Sequence, residues 1–87
     1  MKTNFDKLTK EIYEFEKRGD FDKTSKKQLI KWLKKEISNY QKTNNKIVKK
    51  NKLIDIIVLV MQIARRDKIL LDEAYKVWWK KSRKYLK

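Results

Sequence analysis

The stretch Leu53-Ile54-Asp55-Ile56-Ile57-Val58-Leu59-Val60-Met61-Gln62-Ile63-Ala64 holds twelve residues, of which only Asp55 and Gln62 interrupt the apolar run. A helix that is apolar nearly all round belongs at the centre of a bundle, so this one is expected to be buried on almost every side. Its length is too short to span a bilayer. A carboxylate near the start of such a helix, Asp55, is either a structural charge favoured by the helix dipole or half of a site.

The remaining periodicities supply helices to surround it. Phe5, Leu8, Ile12 and Phe15 recur at helical spacing, and Arg18-Gly19 reads as the stop of a first helix over about residues 4–18. Ser25 followed three residues later by Gln28 is a capping box, and Leu29, Leu33, Ile37 and Tyr40 follow on one face, giving a second helix over about 25–42. Lys42 to Lys46 reads as a solvated loop, with Ile47 and Val48 packing back on the core. The central helix is expected over about 49–66. A last helix over about 71–85 carries Leu71, Ala74, Val77, Trp78 and Tyr85 as its stripe, which places Trp78 in the core and Trp79 nearer the surface. Trp32 is expected to pack between helices. With no proline and one glycine in 87 residues, these elements predict a single all-α domain over 1–87, a small four-helix bundle.

Composition removes whole classes of chemistry. There is no Cys and no His, which excludes zinc fingers, thiol nucleophiles, imidazole acid-base catalysis and disulfides. Met1 to Leu8 has scattered charges and no apolar core of signal-peptide length, so a soluble, cytoplasmic protein without a membrane partner is expected.

The formal net charge of +14 is unevenly spread. Residues 23–52 hold eleven lysines against Glu36 alone, and residues 76–87 hold six basic groups and no acid. These two blocks flank the neutral central helix. Such a field attracts polyanions. On the second helix Lys26, Lys27, Lys31, Lys34 and Lys35 form a cationic ridge whose like charges repel unless a polyanion lies against them. Lys49, Lys50, Lys80, Lys81, Arg83 and Lys84 extend the candidate nucleic-acid-binding set, and Trp79 is the candidate for base stacking. No helix-turn-helix glycine turn and no Arg or Asn constellation for base contacts is present, so backbone-directed binding to DNA or RNA is expected. The bland reading is a solubilising lysine-rich surface.

The order and spacing of the acidic positions resemble the MazG-like all-α nucleoside triphosphate pyrophosphohydrolases, in their short phage and Gram-positive form. The family's Glu-Glu-x-x-Glu motif falls on Leu33-Lys34-Lys35-Glu36-Ile37-Ser38-Asn39-Tyr40, and its Glu-x-x-Asp motif on Lys52-Leu53-Ile54-Asp55. Ile69 to Ala74 looks like its turn into the last helix and Lys80 to Lys84 like its basic tail. The resemblance implies magnesium-dependent pyrophosphate release, with Glu36 and Asp55 as metal ligands. Of the five acidic positions only those two remain, while Lys35, Asn39 and Lys52 replace the others. Two carboxylates beside ammonium groups make a poor magnesium site. Lys35 and Lys52 would instead stand where the cation would have been.

The leading expectation is therefore a non-enzymatic helical protein that engages nucleic-acid backbone without a cofactor. One alternative is a divergent magnesium-dependent pyrophosphohydrolase. Another is a phage-type inhibitor that docks on an acidic host protein. Homodimerisation through apolar helices fits each. For Glu36 and Asp55 the plain structural readings are a lysine pair on a solvated face and a charge in the first turn of the central helix.

Overall fold

The computed structural model describes residues 4–86; Met1 to Thr3 of the N-terminal reading and the tail residue Lys87 lie outside the described residues. Four helices follow in order: α1 (Phe5–Arg18), α2 (Lys26–Lys42), α3 (Lys46–Arg66) and α4 (Leu71–Ser82), with a closing 3₁₀ turn over Arg83–Tyr85. The fold is all-α, a small four-helix bundle. No strand occurs among the described residues, and none of their helices is long and apolar enough to cross a membrane.

Local chemistry explains where each helix begins. The Ser25 hydroxyl accepts from the Gln28 amide at 3.1 Å and caps α2. The third helix starts at Lys46, ahead of the expected Lys49, because the Asn45 side chain accepts from the amides of both Ile47 and Val48. Ile47 and Val48 consequently sit in the first turn and are exposed, rather than folded back on the core. Asn4 makes no side-chain cap for α1. Instead Asp72, from the first turn of α4, accepts from the amides of Phe5 at 2.8 Å and Asp6 at 3.3 Å, and Asp6 accepts from the Asp72 amide at 3.3 Å. Each of two helix N-termini is thus capped by a carboxylate of the other, which fastens α4 to α1.

The two helices α1 and α3 end alike. Phe21 donates its amide to the Glu16 carbonyl and Asp20 to Lys17; Ile69 donates to Ala64 and Lys68 to Arg65. These are Schellman motifs whose left-handed residues are Asp20 (φ 59°) and Lys68 (φ 57°). Gly19 follows the last residue of α1, as expected of the stop, and has φ −94°. Its lack of a side chain serves contact instead: a Cβ there would stand 2.6 Å from the Phe21 ring, which stacks on Phe15.

The main packing runs between α2 and α3, with α1 against α3 and α4 against α1. Leu29, Leu59, Met61 and Ala64 form the buried apolar set. Phe15 and Leu8 of the expected α1 stripe remain exposed. The central helix departs most from expectation: Leu53, Ile54, Ile57 and Val60 are 42–58% exposed, because α4 packs on α1 and leaves that side of α3 open. The tryptophans also reverse their expected order. Trp78 is more exposed than Trp79, and Tyr85 is more exposed than either. Trp78 rests on the Tyr75 ring at 5.6 Å and not in a core, and Trp32 is likewise exposed.

Candidate functional site

Glu36 on α2 and Asp55 on α3 do come together, and a lysine stands between them. Lys52 Nζ lies 2.9 Å from Glu36 Oε2 and 4.0 Å from Asp55 Oδ2. The Glu36 and Lys52 side chains are mostly covered, so this pair ties α2 to α3 instead of decorating a solvated face. Asp55 lies in the third turn of a helix that begins at Lys46, too far from its N-terminus for a first-turn dipole role. The Lys52 ammonium is held above the ordinary lysine range first by its hydrogen bond to Glu36 and then by the charges of Glu36 and Asp55, against partial burial.

This arrangement does not suit magnesium. The ion needs several oxygen donors in near-octahedral order, whereas a lysine already stands between the two carboxylates and cancels one of their two charges. Among the described residues no three Asp, Glu, His or Cys side chains gather closely enough to hold a metal. Lys35, the other lysine in the acidic pattern, is exposed and takes no part in the group. Beside it lies a hollow of about 280 Å³ bordered by Trp32, Glu36, Asp55 and Gln62.

The cationic residues divide between two places. Lys26, Lys27, Lys31 and Lys34 line one shallow concavity of about 560 Å³ with Ser25, Gln28 and Ile30. The turn of α2 brings them there at intervals of one, four and three residues. Lys26 is partly neutralised by Asp67, 2.7 Å away across the exposed end of α3; Lys27, Lys31 and Lys34 have no acidic partner among the described residues. Lys35 falls outside the concavity, as do Lys49, whose ammonium lies over the Tyr40 ring at 5.5 Å, and exposed Lys50. Trp79, Lys80, Lys81, Arg83 and Lys84 are all exposed on α4 and the 3₁₀ turn, an element that packs chiefly on α1. Trp79 touches Trp78 at 6.2 Å and keeps much of its ring accessible.

One charged pair escaped the sequence reading. Glu16 is wholly buried and Arg66 grips it with a two-pronged contact, Nη1 to Oε1 at 2.9 Å and Nη2 to Oε2 at 2.6 Å. Arg66 also donates to the carbonyls of Thr24 and Phe21. Every arm of the guanidinium is used for holding α1, the following turn and α3 together, so the pair is structural. Protein-family models, curated proteins and solved structures were all compared with the chain, and none matches it.

Proposed function

We propose that this protein binds nucleic acid through the phosphate backbone, with the lysine concavity of α2 as its principal contact and no catalytic step. The observation that carries the reading is the convergence of Lys26, Lys27, Lys31 and Lys34 on one exposed hollow, three of them without acidic partners among the described residues. Flexible ammonium groups around a shallow depression suit phosphates, which need charge and not shape, and they offer no geometry for reading base edges. The α4 tail supplies a second set of cations, and accessible Trp79 offers a stacking surface for unpaired bases. The Lys52 bridge argues against the pyrophosphohydrolase alternative, since the carboxylates that would hold magnesium are occupied by a side chain of the same protein.

The test is fluorescence-anisotropy binding to duplex DNA, single-stranded DNA and RNA over a salt series. Each phosphate contact contributes about −0.9 to the slope of log K against log salt on duplex DNA. Replacing Lys27, Lys31 and Lys34 together by Gln is expected to reduce the slope magnitude by roughly two to three and to weaken all sequences alike. An unchanged slope would remove α2 from the interface. Binding confined to very low salt would reduce the charge to a solubilising surface.

A further inference from the structure

We infer that the open apolar side of α3 and α4 is the pairing face of a homodimer, covered by the same face of a second copy. The protomer is too open for its mass. Its accessible surface is 7571 Å² and its mass 10.7 kDa, whereas a compact monomer of that mass exposes about 5,500 Å². The radius of gyration is 14.8 Å, in a slab 42 × 33 × 21 Å across, against about 12 Å for a compact chain of this length. The excess, roughly 2,000 Å², matches what one partner contributes to an obligate interface.

Part of the open surface is one continuous apolar face. Leu53, Ile57 and Val60 recur at spacings of four and three on one side of α3, with Ile54 at their edge, and all four are substantially exposed. Directly beside them runs a hollow of about 360 Å³ lined by Phe5, Ile57, Val60, Met61, Leu71 and Tyr75, with almost no polar surface. On α4 the same face continues to Trp78, half exposed one turn beyond Ala74.

Two features select a second copy as the occupant. A ridge, Leu53 and Ile54, and a hollow lie on one face, so a two-fold axis can seat the ridge of each protomer in the hollow of the other. The hollow is lined without a single charged side chain in a +14 protein. The α2 concavity and the Lys52 bridge belong to the side of the molecule that α2 covers, so pairing keeps those lysines apart, and exposed Lys50, one turn before Leu53, marks the end of the apolar stripe. The inference is independent of nucleic-acid binding.

Sedimentation equilibrium of the full chain at moderate salt, without nucleic acid, is the test. The expected mass is twice 10.7 kDa at micromolar concentration, with a Tm that rises with protein concentration. Ile57→Lys should abolish the dimer, leaving either a 10.7 kDa folded monomer or, if folding requires pairing, an unfolded one. Ile37→Lys, at an exposed position of α2 outside the pairing face, should leave the dimer mass unchanged. A wild-type chain that sediments as a monomer with a concentration-independent Tm overturns the inference, as does a dimer that survives Ile57→Lys. Open-ended growth in mass with concentration would equally overturn a closed pair. None of these outcomes bears on binding to the α2 lysines.

Discussion

Glu16 and Arg66 are fifty residues apart in sequence, and nothing in a one-dimensional pattern joins them. Glu16 lies among Glu14, Lys17 and Arg18 at what reads as the solvated end of an amphipathic helix; only the fold shows that it is buried. Removing one partner of a buried ion pair leaves the other uncompensated, at a cost of about 3–5 kcal/mol. Arg66 keeps the Phe21 and Thr24 carbonyls and some solvent contact, so Glu16→Gln should cost about 2–4 kcal/mol by urea unfolding at fixed protein concentration. A loss below about 0.5 kcal/mol, the scale of an exposed pair, would show that the clamp does not hold α1 to α3. Glu36, Lys52 and Asp55 were more legible, because their spacing marked them out, but the sequence could not show which lysine would enter the gap. The Lys52 pKa is raised in the fold, so its stabilising charge is fully present below the ordinary lysine value of 10.5 and is lost only as pH rises through the higher folded value. A heteronuclear NMR titration should therefore find Lys52 deprotonating above the ordinary lysine value of 10.5. Stability should show no Lys52-dependent step between about pH 6 and 9. Early deprotonation would mean that the bridge does not persist in solution.

Caps decide more of the helix boundaries than apolar periodicity does. Ser25 was readable because its acceptor serves an amide three residues away, a purely local arrangement. Asn45 was equally local, but it stands in a run of Lys, Thr and Asn whose polarity masks the start of α3. The Asp72 cap of α1 could not be read locally at all, since donor and acceptor are sixty-seven residues apart. Asp72→Ala should remove about 1–2 kcal/mol. It should also accelerate hydrogen exchange at the amides of Phe5 and Asp6 and along α4, while the amides in the middle of α2 stay protected. Uniform acceleration across all four helices would mean that α4 is not separately fastened by this contact. At the other ends, Asp20 and Lys68 hold left-handed conformations that disfavour side chains. Asp20→Gly and Lys68→Gly should each stabilise the protein by about 0.5–1 kcal/mol in thermal unfolding, with the greater gain at Lys68, because an aspartate tolerates that conformation better.

For the molecule as a whole, helix class and number were legible because the periodicities are strong and strand and turn residues are scarce. Which sides of α3 would be covered was not, since an all-apolar helix gives no direction, and α4 is placed by the Asp6 and Asp72 caps and the Phe5–Tyr75 ring contact at 5.6 Å rather than by its stripe. The same limit applies to the tryptophans: spacing puts Trp78 and Trp79 on different sides, but it cannot say whether either side meets a neighbour. Charge, by contrast, is a property of the whole chain that needs no fold to be read. At +14 on a body with a radius of gyration of 14.8 Å, most lysines lie within a few Debye lengths of many others, and their mutual repulsion opposes the compact state. Sodium chloride should therefore raise Tm as it shortens the Debye length from about 10 Å at 0.1 M towards 3 Å at 1 M. Three of the five ion pairs among the described residues have a partner about half exposed to solvent, so screening them costs little. The Lys27, Lys31 and Lys34 to Gln variant, which removes three cations from one surface, should show a higher Tm at low salt and a flatter salt dependence. A Tm that falls with added salt in the unmodified protein would mean that attraction across the five pairs outweighs repulsion among the lysines. The α2 concavity would then no longer be a store of unfavourable charge for a polyanion to relieve.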